Sequence, residues 1–156
     1  MNELKHLVIH CTDTPEGRPT SSADIRDWHI RGNGWTKVGY SDMFHLDGTL
    51  ENLIPFNQDN TVDPWEVSNG ARGLNGTSRH IVYVGGKQRL TGRAIDTRTE
   101  GQKEALATYV RYMVLRHPNI KVMGHYQAAS ARGKTCPNFD VPCWLQEIGI
   151  PSINIY

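Results

Sequence analysis

The chain has 156 residues, enough for one domain of ordinary size with a substantial core. Its 17 Lys and Arg nearly balance 16 Asp and Glu, a net charge of +1 with neutral histidine, and the charges are spread along the chain. That spread excludes the basic stripe of a nucleic-acid binder, and no apolar run approaches the roughly 20 residues of a membrane-spanning helix. The cysteines, Cys11, Cys136 and Cys143, are few and odd in number, which disfavours a disulfide framework and leaves a buried thiol or a thiolate metal ligand. "MNELKHLVIHC" lacks the basic segment, long apolar run and cleavage site of a signal peptide. The expectation is therefore a cytoplasmic chain as synthesised.

In chain order, "LKHLVIH" (Leu4–His10) reads as a strand with His10 at its carboxyl end. "TDTPEGRPTS" is a loop by composition, and Ser21 or Ser22 caps a helix running through Arg31 with Ile25 and Trp28 facing inward. A hairpin follows, Tyr40–Leu46 and Thr49–Ile54, turned at Asp47-Gly48. Residues 55–78 read as a long irregular loop, of the length usually associated with function or mobility. "RHIVYVGG" (Arg79–Gly86) is a short apolar strand, and a second polar loop follows it.

The segment after Thr99 carries the strongest helical pattern. Thr99 and Gln102 form a capping box, Leu106, Tyr109, Val110 and Met113 make one apolar stripe, and Pro118 stops the run. "IKVMG" is a brief strand that delivers His125, and "DVPCWLQEI" a final short helix with Cys143 packed near its start. Strands interleaved with helices predict a single α/β domain: a central mixed sheet of about five strands with helices on its faces.

Of the seven histidines, His6, His29, His45, His80 and His117 read as structural. His6 is mid-strand, His29 within a helix, His45 and His80 within strands, and His117 at a helix C-terminus that favours a cation. His10 and His125 differ, because each stands where a strand gives way to a loop. In open α/β sheets ligands gather at that edge. If the two strands are neighbours, both imidazoles project into one cleft.

Cys136 supplies a third donor. Two imidazoles and a thiolate suit Zn²⁺ with a fourth position open, as in catalytic sites. No Cys-x-x-Cys pair argues for a closed structural zinc site. The zinc-deaminase pattern fails at Gln146, where its last cysteine should stand, and His-Glu-x-x-His is absent. On the residues alone, "GHYQAASARGKTCPNFD" remains either an ordinary surface loop or the loop of a metal site.

Four blocks in order, "VIHCTDT", "WTKVGYSDMFHLDGT", "RHIVYVGG" and "GHYQAASARGKTCPNFD", resemble the zinc-dependent N-acetylmuramoyl-L-alanine amidases, the type shared by bacteriophage lysozyme-type amidases and peptidoglycan recognition proteins. The resemblance spans about Lys5 to Trp144. It implies zinc ligands at His10, His125 and Cys136, a catalytic tyrosine at Tyr40, and a catalytic lysine at Lys134. It also implies a peptidoglycan or muropeptide substrate, a monomer without stable membrane insertion, and action on the cell wall after release from the cell. The chain departs from the family where Gly-Tyr-His is common in the hairpin block and Ser41 and Asp42 follow Tyr40. It departs again in "VSNGARGLN", where many members carry a Trp-His or Ser-His pair. Two rival readings share the resemblance: a recognition module that binds without cutting, and a muropeptide-recycling amidase. The first generally lacks the cysteine ligand, and the second usually has Asp where Cys136 stands.

Overall fold

The computed structural model describes residues 1–156. Its centre is a five-stranded mixed sheet of β1 (His6–Cys11), β2 (Asp42–Phe44), β3 (Leu50–Asn52), β4 (Ser78–Tyr83) and β5 (Lys121–Gly124), in spatial order β3-β2-β4-β1-β5. β1 runs parallel to both β4 and β5, and β2 runs parallel to β4; only the β2–β3 hairpin is antiparallel. Parallel strands buried on both faces carry continuous apolar runs, which is why β1 and β4 read as Leu-Val-Ile and Ile-Val-Tyr rather than as alternating patterns. The expected α/β architecture and strand count are those observed.

Three helices pack around the sheet. α1 (Ser22–Arg26) starts at a reciprocal capping box between Ser21 and Asp24 and widens into a π-helical segment, Asp27–Gly32, where α-helix through Arg31 was expected. α2 (Glu100–Arg116) starts at the Thr99–Gln102 box, and α3 (Val141–Glu147) is capped by Asp140. Gln102 does more than cap. Its side chain is fully buried, and its amide donates to the carbonyls of Phe44 and Val84 at 3.2 and 3.0 Å, tying α2 to β2 and to the end of β4.

The sheet's two faces are covered unequally. Leu7, Ile9, Cys11, Ile81 and Tyr83 meet Leu106, Val110 and Met113 of α2 and Val141, Trp144 and Leu145 of α3 in the main core. On the opposite face Val8 and Met123 meet Ala128 and Ala131, while Ile25 of α1 meets Met43 and Val82 in a separate cluster. His10 shares the face of Val8, at the period of two along the strand. The cleft opens on this face, and His10 lines it.

Several expectations change in detail. The hairpin strands are shorter than read, so Tyr40 and Ser41 precede β2 instead of starting it. Residues 55–78 are threaded with short elements. Thr61–Val62 pairs with Asn2–Glu3, and the buried Glu66 carboxylate accepts from the amides of Asn57 and Asp63 at 2.8 and 2.9 Å. Cys143 is exposed, because Val141, Trp144 and Leu145 already occupy the inward side of α3. His117 is buried against Asn60, and that burial lowers its pKa, so it favours the neutral ring over the expected helix-end cation. No helix is long and apolar enough to cross a membrane.

A buried ion pair lies on the face that α2 covers. The Asp42 carboxylate accepts from Arg79 at 2.8 Å, from the Tyr109 hydroxyl at 2.5 Å and from Asn52 at 2.7 Å, and both charged side chains are 4% exposed. Removing one partner strands the other charge, which typically costs about 3–5 kcal/mol. Asp42→Ala should therefore lose stability on that scale in urea unfolding, while Cys143→Ser on the exposed side of α3 should leave the midpoint unchanged. Equal effects would contradict this account of the core.

Candidate metal centre

Parallel register sets the site. Ile9 is level with Gly124, so the next residue of each strand, His10 and His125, emerges at the same carboxyl edge, with ring centroids 4.5 Å apart. Gly124 has to be glycine here. A Cβ would lie 2.6 Å from the Tyr126 ring and 2.9 Å from Val141.

The third donor arrives on the loop after β5, which is pinned at several points. The Tyr126 amide donates to the Cys136 carbonyl at 2.8 Å, the Tyr83 hydroxyl to the Pro137 carbonyl at 2.7 Å, and the Asn138 amide group to the Gly86 carbonyl at 2.7 Å. The Cys136 sulfur thereby sits 3.3 Å from the Cys11 amide nitrogen, which donates to it, and 3.9 Å from His10 Nδ1.

One ligand atom from each of His10, His125 and Cys136 lies within 4.8 Å of the other two. Donors at about 2.1 Å (N) and 2.3 Å (S) from a tetrahedral centre stand roughly 3.3–3.6 Å apart, so the cluster fits zinc with little adjustment. The three sequence-expected ligands are thus together.

Electrostatics suit a metal in the same way. The neighbouring Cys11 thiol, reinforced by His10 and His125 against the opposing effect of burial, holds the Cys136 thiol well below the ordinary range and toward the thiolate that ligates metals. Cys11 is pushed the other way, first by the neighbouring Cys136 sulfur and then by burial, and stays a thiol. Burial lowers the pKa of His10 and keeps its ring neutral, the form a ligand needs.

A cleft of about 810 Å³ opens beside the cluster, and Tyr40 and Lys134 both line it. Tyr40 is half-buried, its ring centroid 5.4 Å from that of His10. Burial first, then the nearby Cys136 sulfur, raises its pKa well above the usual tyrosine value. Lys134 is exposed on the rim, its backbone fixed by a 2.9 Å bond to the Ala131 carbonyl.

Three side chains read as bystanders belong to this neighbourhood. Cys11 points into the main core, and its amide donates to the Cys136 sulfur. His29, delivered by the π-helical segment, accepts from the Gly39 amide at 2.9 Å, sets its ring 5.0 Å from that of Tyr40 and lines the cleft. π-helical segments are frequent at functional sites. His80 is fully buried, its Nδ1 2.9 Å from His10 Nε2. The signal for it was its setting, since an imidazole in a strand buried on both faces needs a polar partner.

Fold and site together define a class: an α/β domain with a candidate metal centre at the carboxyl edge of parallel strands and a polar cleft beside it. The chain belongs to the N-acetylmuramoyl-L-alanine amidase family, whose model matches residues 1–139. It is 28% identical over 145 residues to the endolysin of Klebsiella phage KP32, covering 93% of this chain and 87% of that one. With the endolysin of Escherichia phage T7 it shares 26% over 141 residues, 90% of this chain and 85% of the relative. Two solved structures share the fold, each with a TM-score of 0.69. The Ph2119 endolysin of a Thermus scotoductus bacteriophage is 23% identical, covering 96% of this chain and 86% of that one. Drosophila PGRP-LB is 20% identical, with 96% and 84% covered.

The thiol pair yields a direct test. In metal-free protein carrying Cys143→Ser, alkylation of Cys136 should titrate below the ordinary thiol value of about 8.5. Cys11→Ala removes the leading cause of that depression, so the midpoint should move up and the neutral-pH rate should fall. An unmoved midpoint would contradict the assignment.

Proposed function

We propose that this amidase is a zinc enzyme that hydrolyses the bond between the lactyl group of N-acetylmuramic acid and L-alanine in peptidoglycan, as an endolysin acting on the cell wall. One observation carries the reading: His10, His125 and Cys136 converge within 4.8 Å at the edge of a cleft that Tyr40 and Lys134 share. Membership of the amidase family supports the bond attacked. The near full-length alignments with phage endolysins support the cell wall as the place of action.

Zinc held by these three residues, when bound, would supply a water of pKa about 7 and polarise the scissile carbonyl. Because its surroundings hold Tyr40 protonated, its hydroxyl serves as a hydrogen-bond donor that orients the attacking water, rather than as the base that deprotonates it. Lys134 stands two residues before Cys136, and its ammonium on the rim meets the substrate's carbonyl oxygen as negative charge develops there. Removal of one such donor commonly costs about a hundred- to a thousandfold in rate. The cleft's polar lining, including Asn69, Arg72 and Asn75, suits a peptide and sugar ligand better than an apolar one.

The thiolate counts against a module that only binds, and so does the pairing of the cluster with Tyr40 and Lys134 in one cleft. The test takes purified protein and muropeptides. About one zinc per chain is expected, with most of it lost in Cys136→Ser and His125→Ala. Tyr40→Phe and Lys134→Ala should keep zinc and muropeptide affinity while kcat falls about a hundredfold or more. Tight muropeptide binding by zinc-loaded parent protein without release of stem peptide would make this a recognition module. Undiminished turnover in both variants would remove Tyr40 and Lys134 from the mechanism.

A further inference from the structure

His80 has no place in the mechanism above, yet it is the most deeply buried titratable side chain beside the candidate ligands. It stands on β4 level with Val8, two residues below His10 on the same face of the sheet, with none of its surface exposed. Its backbone is held on both sides by Ser41: the His80 amide donates to Ser41 Oγ at 3.3 Å, and the Ser41 amide donates to the His80 carbonyl at 2.7 Å. Space for the ring comes from Gly70, where a Cβ would lie 2.4 Å from the imidazole.

The ring makes one hydrogen bond. His80 Nδ1 lies 2.9 Å from His10 Nε2, and His80 Nε2 is buried without a partner. Leaving a buried ring nitrogen unpaired costs stability. The ring spends its only bond on a candidate ligand.

We infer that His80 is a positioning residue for the metal centre: its Nδ1 accepts a hydrogen bond from His10 Nε2–H, which leaves His10 Nδ1 bare and aimed at the metal. The inference rests on the zinc reading of the site. His10 has two ring nitrogens, and the one facing Cys136 is Nδ1, 3.9 Å from the sulfur. A neutral imidazole carries one proton. Placed on Nε2 it leaves Nδ1 free to ligate; placed on Nδ1 it blocks the site. With its own proton on Nε2, His80 presents Nδ1 as an acceptor, which selects the ligating tautomer of His10 and fixes the plane of that ring before metal arrives. Partners of this kind beyond the ligands typically account for ten- to a hundredfold in metal affinity.

The experiment compares parent protein with His80→Leu, which fills the space without an acceptor, and His80→Asn, whose amide oxygen takes the place of Nδ1. Zinc affinity is read by chelator competition, turnover by stem-peptide release, and the His10 tautomer by imidazole ¹⁵N shifts in metal-free protein. In the parent, His10 should carry its proton on Nε2. His80→Leu should weaken zinc roughly ten- to a hundredfold, lower kcat at subsaturating zinc with little change in KM, and lose the tautomer preference. His80→Asn should recover most of the affinity.

Folded His80→Leu that binds zinc within twofold of the parent would overturn the inference while leaving the zinc reading intact. So would an Nδ1-protonated His10 in the parent, a measurement that stands even if His80→Leu does not fold. A parent that holds no zinc at all would overturn the zinc reading itself, and the inference with it.

Discussion

Parallel pairing of one short strand with both its neighbours is the constraint on which the rest depends. β1 lies between β4 and β5 in register, so Ile9 is level with Gly124 and with Ile81. Parallel strands end at a common edge, and residues one step beyond that edge share a height. The relation turns two histidines more than a hundred residues apart into neighbours, with no need for a special loop to reach between them. A slip of one residue in β1 would send His10 to the face covered by α2 and α3 and bring Cys11 to the cleft. The apolar run of β1, buried on both sides, prevents that slip only because Leu7, Ile9 and Cys11 fit the main core while Val8 fits the smaller cluster.

The site then follows from which face is left open. α2 and α3 seal one side with large side chains, whereas the other is covered by α1 at one end and by the small residues Ala128 and Ala131 at the other. Between them lies the cleft. Its floor is costly to build, since it buries His10 and His80 together, and His80 keeps a nitrogen with no partner. An unmet buried polar group typically costs about 1–3 kcal/mol. The large core on the opposite face offsets that cost, which is the usual division of labour between a scaffold and a site that must stay polar.

Much of this was legible in the residues. Strand ends at His10 and His125, the helix cap at Ser21 or Ser22, the capping box at Thr99, and the stripe Leu106, Val110 and Met113 are local patterns, and local patterns survive folding. The trio could be suspected because His10 and His125 stand where strands give way to loops and Cys136 adds a thiolate donor to the loop after the second. The neighbourhood of Cys11 and His80 was not legible. The Cys11 thiol meets Cys136 only because the loop after β5 folds over the end of β1, and His80 meets His10 only through the β1–β4 register. Cys143 was misplaced for a related reason: a short helix buries one side, and Trp144 and Leu145 had already claimed it.

As proposed, the cluster at this strand edge cuts one particular bond in the cell wall and needs zinc to do so. Labelling the new termini in a digest of purified peptidoglycan, with and without a zinc chelator, tests it most directly. Zinc-loaded protein should release new α-amino groups on L-alanine and no new reducing sugar ends, and chelation should abolish the signal until zinc is restored. New reducing ends in place of L-alanine amines, or amine release that persists unchanged after zinc is stripped, would contradict it.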